Sequence, residues 1–274
     1  MDKFYTLPSY SKKCIDTLIK YYPLTDFDLI VEPSVGNGSF YHNIHSDNKI
    51  GLDISPDENI NDFLKMDFFD FTPPDLGESA NILVIGNPPF GKVSSLAIKF
   101  FNHSAEWANV IAFIIPRTFR RPSVQNKLNT MFHLVCDEEV PTSPCCFTPK
   151  MMVKCCFQSW ERKYTKRTII NLPTRHTDWE FLKYGPLDSN SQPTPPDCAQ
   201  FAIRAYGGKV GEIKENGLDA LTPKNWHWIT SNIDKTDLIG IFKRLDYSNS
   251  TNTARQNSMG RGELVRLYTN FIQE

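Results

Sequence analysis

The chain has 274 residues, enough for one large domain or one domain with a small module. A 40% hydrophobic and 12% aromatic composition supports a sizeable core, while no stretch approaches the roughly 18–20 apolar residues that a membrane-spanning helix needs. The net charge of −1 hides 14 Lys and Arg against 18 Asp and Glu in residues 1–160, and 16 against 13 in residues 161–274, an asymmetry that permits a nucleic-acid partner without requiring one.

The opening Met1-Asp2-Lys3-Phe4-Tyr5-Thr6 lacks a basic segment followed by an apolar one. An intracellular, cytoplasmic protein is therefore expected, or a nuclear one in a eukaryote. After Pro8, Ile15, Leu18, Ile19 and Tyr22 share a helical face, which predicts a helix from about Ser9 to Tyr22 capped by Ser9 or Ser11 and ended by Pro23. Phe27 to Val31 is an apolar strand running into Glu32-Pro33-Ser34-Val35-Gly36-Asn37-Gly38-Ser39-Phe40. Glycines 36 and 38 allow a tight turn and close approach of a ligand, and a helix beginning after them would offer its N-terminal amides to the same ligand. A plain strand-to-helix turn is the simpler alternative. Lys49 to Ile54 reads as a second strand with Asp53 at its tip, where doubly wound folds place a carboxylate for ribose hydroxyls. Asp67 and Phe68 follow in an acid- and aromatic-rich segment that suits a purine or, equally, an aromatic core.

The apolar run Ile82-Leu83-Val84-Ile85 has the composition of a strand buried on both faces, and Gly86 joins it to Asn87-Pro88-Pro89-Phe90. Two prolines end the strand and stiffen the loop at its carboxyl end, where open α/β sheets bind ligands. Asn87 offers a side-chain carbonyl, Pro88 a backbone carbonyl and Phe90 a flat face; together they suit a planar group bearing an amine. An Asn-Pro turn with Phe90 in the core is the plainer reading.

Ser94 to Asn109 is predicted helical and Val110 to Ile115 a further apolar strand. Arg117, Arg120 and Arg121 then fall on the rim that carries Asn87, as candidate phosphate ligands alongside Lys92, or else in a solvated loop. His133 to Val140 and Met151 to Trp160 read as an antiparallel hairpin. The seven cysteines are read as free thiols. The pairs 145–146 and 155–156 lack Cys-x-x-Cys spacing, and neighbours along a strand face opposite ways, so buried thiols rather than a metal site are expected.

The polar, Pro-rich stretch before about residue 200 reads as a linker or surface excursion. Strands at Phe201–Tyr206, Lys209–Lys214 and Asn225–Ile229 and a helix at Asp234–Leu245 make a small module, with a flexible loop before a last helix or strand. Arg204, Lys209, Trp226 and Trp228 read either as a basic-aromatic surface or, more simply, as strand packing.

Taken together, these motifs resemble the class I S-adenosylmethionine-dependent amino-methyltransferases that act on nucleic-acid bases. The 32–40 segment is similar to their cofactor loop, Asp53 to the ribose acid, Asp67-Phe68 to the adenine-contacting pair, and Asn87-Pro88-Pro89-Phe90 to the catalytic loop. Phe4-Tyr5-Thr6 resembles the segment that closes over the methionine end, and Ser34 stands where the commonest pattern has glycine. The resemblance implies a Rossmann-like, mostly parallel seven-stranded sheet ending in an antiparallel hairpin. It covers roughly residues 1–160 and places a methyltransferase domain at residues 1–164, while composition alone makes 165–200 a linker or surface excursion and 201–274 a small module, a possible target-recognition region. It further implies S-adenosylmethionine bound by Tyr5, Thr6, Glu32, Ser34, Gly36, Gly38, Asp53, Asp67, Phe68 and Asn87. Asn87, Pro88 and Phe90 would then be catalytic, and the substrate the N6 amine of adenine, in DNA rather than RNA. A partner subunit is compatible with this reading, as is a catalytically silent fold.

Overall fold

In the computed structural model, which describes residues 4–55, 63–77 and 79–273, the chain divides into two units at residues 169 and 170. The first unit contains β1 (Tyr5–Thr6), α1 (Pro8–Ile19), β2 (Leu29–Glu32), β3 (Lys49–Asp53), β4 (Leu64–Lys65) and β5 (Ile82–Gly86). It continues with α2 (Ser95–Trp107), β6 (Val110–Pro116), α3 (Pro122–Gln125), β7 (Phe132–Val140), β8 (Phe147–Thr148) and β9 (Cys155–Arg162). Seven strands form one sheet in the order β4-β3-β2-β5-β6-β9-β7. From β4 to β6 the pairing is parallel, and β9 runs antiparallel between β6 and β7. This is a Rossmann-like α/β sheet closed by an antiparallel strand. The winding reverses between β2 and β5, so the carboxyl ends of those strands flank a crevice.

Period-2 alternation builds the core. Leu29, Val31, Ile82, Val84, Ile111, Phe113 and Ile115 pack on the face covered by Phe100, Phe101 and Ala105 of α2. Ile30, Leu83, Ile85, Val110, Ala112 and Ile114 pack on the opposite face against Tyr10, Cys14, Ile15 and Leu18 of α1. Cys155 and Cys156 divide in the same way between the two faces. Burial pushes both thiols up, which leaves them as unreactive apolar side chains.

Two local expectations are corrected. Helix α1 begins one residue earlier than predicted, with Pro8 in its first turn and no side-chain cap at Leu7. Ser11 instead donates to the Ser39 carbonyl, tying the helix to the loop after β2. That loop is not followed by an α-helix: only a 3-10 turn, Tyr41–Asn43, lies between it and β3. Phe40 and Ile44 must reach the α1 face of the sheet within a few residues, and Asn43 bonds the carbonyls of Pro8 and Ser39, so the chain is used up before a helix can propagate. The dipole of a helix is therefore not available to a ligand here.

The second unit contains β10 (Trp179–Phe181), β11 (Phe201–Arg204), β12 (Ile213–Lys214), β13 (Trp226–Ser231), α4 (Lys235–Arg244) and α5 (Arg261–Gln273). Its antiparallel sheet has the order β10-β13-β11-β12. The segment 165–200 is thus not simply a linker, because β10 lies inside it and pairs with β13. Trp179 is fully buried there and packs with Phe242 and Tyr268. Trp226 and Trp228 are buried on the other face with Ala202, so they serve strand packing and not a stacking surface. Asp234 caps α4 by accepting from the amides of Thr236 and Asp237. No helix among the described residues is long and apolar enough to cross a membrane.

His227 on β13 makes the second unit sensitive to pH. Burial pushes its imidazole down to about 4, against a bond to the Met259 carbonyl that favours the charged form. Because the folded value lies below the unfolded one near 6.5, the unfolded chain binds the extra proton between them, so stability is full above 6.5 and falls toward 4. Thermal melts should show the wild type losing more Tm than His227→Gln between pH 7 and pH 4.5. Parallel pH profiles would show that the histidine is not responsible.

Candidate functional site

The crevice at the carboxyl ends of β2, β3 and β5 is a cavity of about 720 Å³. It is lined by Ser34 and Gly36 after β2, Asp53 at the end of β3, and Asn87, Pro88 and Phe90 after β5. Asp67 and Phe68 line it from the β4 side, and Lys92 also contributes to the wall. A small adjoining recess is lined by Tyr5, Thr6, Glu32, Ser34, Gly36 and Asn87. The catalytic and cofactor candidates are thus gathered at one place, Gly38 excepted. Gly38 lies in the loop behind them, where it takes φ +79° and donates its amide to the Val35 carbonyl.

The loop after β2 is held by its own neighbours. The Gly36 amide donates to Asp53 Oδ2 at 2.8 Å, and the Ser55 amide to Asp53 Oδ1 at 2.8 Å. Gly36 takes φ +56°, and a Cβ there would stand 2.9 Å from the Tyr5 ring, so two constraints exclude a side chain. Tyr5 is brought there by pairing of β1 with β8, in the loop between β7 and β9. Ser39 Oγ bonds the Thr6 carbonyl and Asn37 Oδ1, stitching β1 to the same loop.

Asn87 has a defined orientation. Its Nδ2 donates to the Phe4 carbonyl at 3.3 Å, and its backbone carbonyl accepts from Ser34 Oγ at 3.2 Å. The donor end of the amide is engaged by the chain itself, which leaves Oδ1 as its acceptor for a ligand. Gly86, just before it, takes φ +157°, and a Cβ there would stand 3.3 Å from Glu32 Cγ.

Glu32 is 2% exposed, and its Oε2 lacks a hydrogen-bond partner among the described residues. Burial pushes its carboxyl well above the ordinary carboxylate range; the Tyr41 amide opposes that, and the Asp53 charge adds to it. Thr6 Oγ1 is the second unpartnered buried polar atom on the walls of the same recess. Both residues line the recess, so it holds a carboxyl oxygen and a hydroxyl without partners among the described residues.

Other candidates are placed differently. The Phe68 ring is buried against Phe100, with centroids 5.0 Å apart, so its aromatic face belongs to the core. Asp67 Oδ1 caps the 3-10 turn 68–70 by accepting from the Phe69 amide at 3.0 Å. The arginine cluster is corrected as a set of phosphate ligands. Arg117 is 9% exposed and ion-paired with Glu139, and Arg120 is paired with Asp137 at 2.5 Å. Their partners lie on β7, beyond β9, and neutralise them. Arg121 is half-buried, and Lys92 remains a cation on the cavity wall. Met151 and Val153 were not foreseen; they reach the wall from the segment before β9, which no motif marks.

No protein family matches the sequence, and no curated protein matches it either. Solved structures do resemble it. A 23S rRNA methyltransferase, ErmE, shares 15% identity over 60% of this chain and 71% of its own, with a TM-score of 0.42. A dimethyladenosine transferase from Plasmodium falciparum shares 17% identity over 58% of this chain and 63% of its own, with a TM-score of 0.40. A Listeria monocytogenes protein assigned to the class I S-adenosylmethionine-dependent methyltransferases shares 11% identity over 60% and 62%, with a TM-score of 0.43.

Proposed function

We propose that the chain is an S-adenosylmethionine-dependent methyltransferase acting on the N6 amine of adenine in nucleic acid, with DNA favoured by the motif order and RNA the alternative. The observation that carries this reading is the orientation of Asn87: Nδ2 is tied to the Phe4 carbonyl, and Oδ1 is left as an acceptor on a cavity that Asp53 and Phe90 also line.

The residues present fit the cofactor. Asp53 keeps acceptor capacity on both oxygens for ribose hydroxyls, and Asp67 with the adjacent backbone suits an adenine edge. The unpaired Glu32 Oε2 and Thr6 Oγ1 suit the amino-acid end, whose ammonium a buried carboxyl would receive. When bound, S-adenosylmethionine supplies an electrophilic methyl on a sulfonium.

The chain's own residues prepare the nucleophile. The target base leaves its strand and stacks on Phe90. Asn87 Oδ1 and the Pro88 carbonyl each accept one N–H of the exocyclic amine. In free adenine that nitrogen's lone pair is delocalised into the ring; two acceptors draw the hydrogens out of the ring plane and localise it. Catalysis then consists of positioning and fixed dipoles in a sheltered site. Radiolabelled cofactor incubated with adenine-methylation-free DNA and with total RNA, followed by nucleoside analysis, tests the proposal. Labelled N6-methyladenosine or its deoxy form is the expected product, and label in neither pool rejects it.

A further inference from the structure

The turn that follows the Asn87–Phe90 loop holds the non-glycine residues of positive φ among the described residues of the first unit. Gly91, Val93 and Ser94 take φ +68°, +53° and +61°. At Gly91 a Cβ would come 2.7 Å from Leu96 Cβ and 2.9 Å from the Leu96 amide, so glycine is required there. The Phe90 carbonyl accepts from the amides of Leu96 and Ala97, and Ser94 Oγ lies 2.8 Å from Thr118 Oγ1, so both flanks of the turn are pinned.

Between these anchors stands Val93, at φ +53° and ψ +39°. A β-branched residue is among the poorest occupants of the left-handed region, which glycine, asparagine or aspartate fills at lower cost. Its side chain is 82% exposed; among the large hydrophobics described in this unit, only Tyr164 is more so. An apolar, branched side chain held in a costly conformation and pointed at solvent is a candidate contact for a partner outside the chain. Its neighbour Lys92 lies on the cavity wall and sets a positive charge beside it, which would favour an anionic partner at this turn.

Resting on the adenine-methylation reading, we propose that Val93 is the wedge that enters a nucleic-acid duplex beside the extruded base, with Lys92 on the adjacent phosphate. Apolar side chains inserted at a base step hold neighbouring bases apart, and a short branched side chain on a stiff turn does this with little entropy to lose. The pins at Phe90 and Ser94 keep the wedge at a fixed distance from Asn87, so insertion and delivery of the base become one movement.

The test compares Val93→Gly, Val93→Ala and Val93→Leu with the wild type on methylation-free DNA, native and heat-denatured, and on total RNA in the same two forms. The expected result is a native-to-denatured rate ratio lowered about tenfold in the Gly and Ala variants, the scale of one branched apolar side chain, and restored within about twofold by Leu. Val93→Gly, which suits the turn, should not lower Tm. An unchanged ratio overturns the proposal, as does an equal loss on both forms with a lowered Tm, or a wild type that methylates denatured strands alone. Absence of transfer by the wild type on every substrate instead rejects the methyltransferase reading on which the wedge rests.

Discussion

Asn87→Ala should bind S-adenosylmethionine within about threefold of the wild type while transferring methyl about 10²–10³-fold more slowly, the effect of deleting one preorganised polar group aimed at developing charge. The asymmetry follows from the hydrogen bonds. The substitution removes Oδ1, the proposed acceptor for the amine, and Nδ2, which only ties the amide to the Phe4 carbonyl. The backbone carbonyl of residue 87, which receives Ser34 Oγ, is retained, so the cofactor loop keeps its anchor. Asn87→Asp separates the two roles: it keeps an acceptor but sets a carboxylate against the Phe4 carbonyl, and an intermediate loss is expected. Calorimetric titration with cofactor and single-turnover rates on the accepted substrate read the two quantities independently. Full activity in Asn87→Ala removes the amide from the chemistry.

Asp53→Ala should weaken S-adenosylmethionine binding about 100-fold, with methyl transfer at saturating cofactor much closer to normal. Two effects add. The carboxylate is the proposed ribose ligand, and it also receives the amides of Gly36 and Ser55, at 2.8 Å each. Hydrogen bonds to a charged acceptor contribute about 1.5–3 kcal/mol, so losing the ligand contact and loosening the loop together account for two decades of affinity. The positive φ of Gly36 under the Tyr5 ring is held partly by that bond, and without it the loop is freer to leave the geometry that admits a ligand. Titration of cofactor into the variant measures the effect directly. An unchanged Kd would mean that Asp53 staples the loop without touching the ligand.

The legible part of this protein lies in its strands. Leu29–Glu32, Ile82–Gly86 and Val110–Pro116 are buried throughout, which is why they appear in the sequence as unbroken apolar runs. The opposite facing of Cys155 and Cys156 follows from the strand period. What could not be read depends on contacts distant in the chain. Arg117 and Arg120 read as candidate phosphate ligands because their partners, Glu139 and Asp137, become neighbours only when β9 enters between β6 and β7. Strand β10 was hidden because Trp179 and Phe181 stand among polar residues and show their pattern only against β13. The missing helix after Gly38 reflects a demand of packing, since Phe40 and Ile44 are spent on the core.

Burial on both faces and proline at a strand end are local requirements, so the mostly parallel α/β core could be read from the residues alone. Contacts made across the fold fix which cations are neutralised, that the Asn87 amide donates to the Phe4 carbonyl, and that Val93 stands exposed on a left-handed turn. Those properties belong to pairs of groups, and a pair exists only once the fold has brought its members within hydrogen-bonding distance.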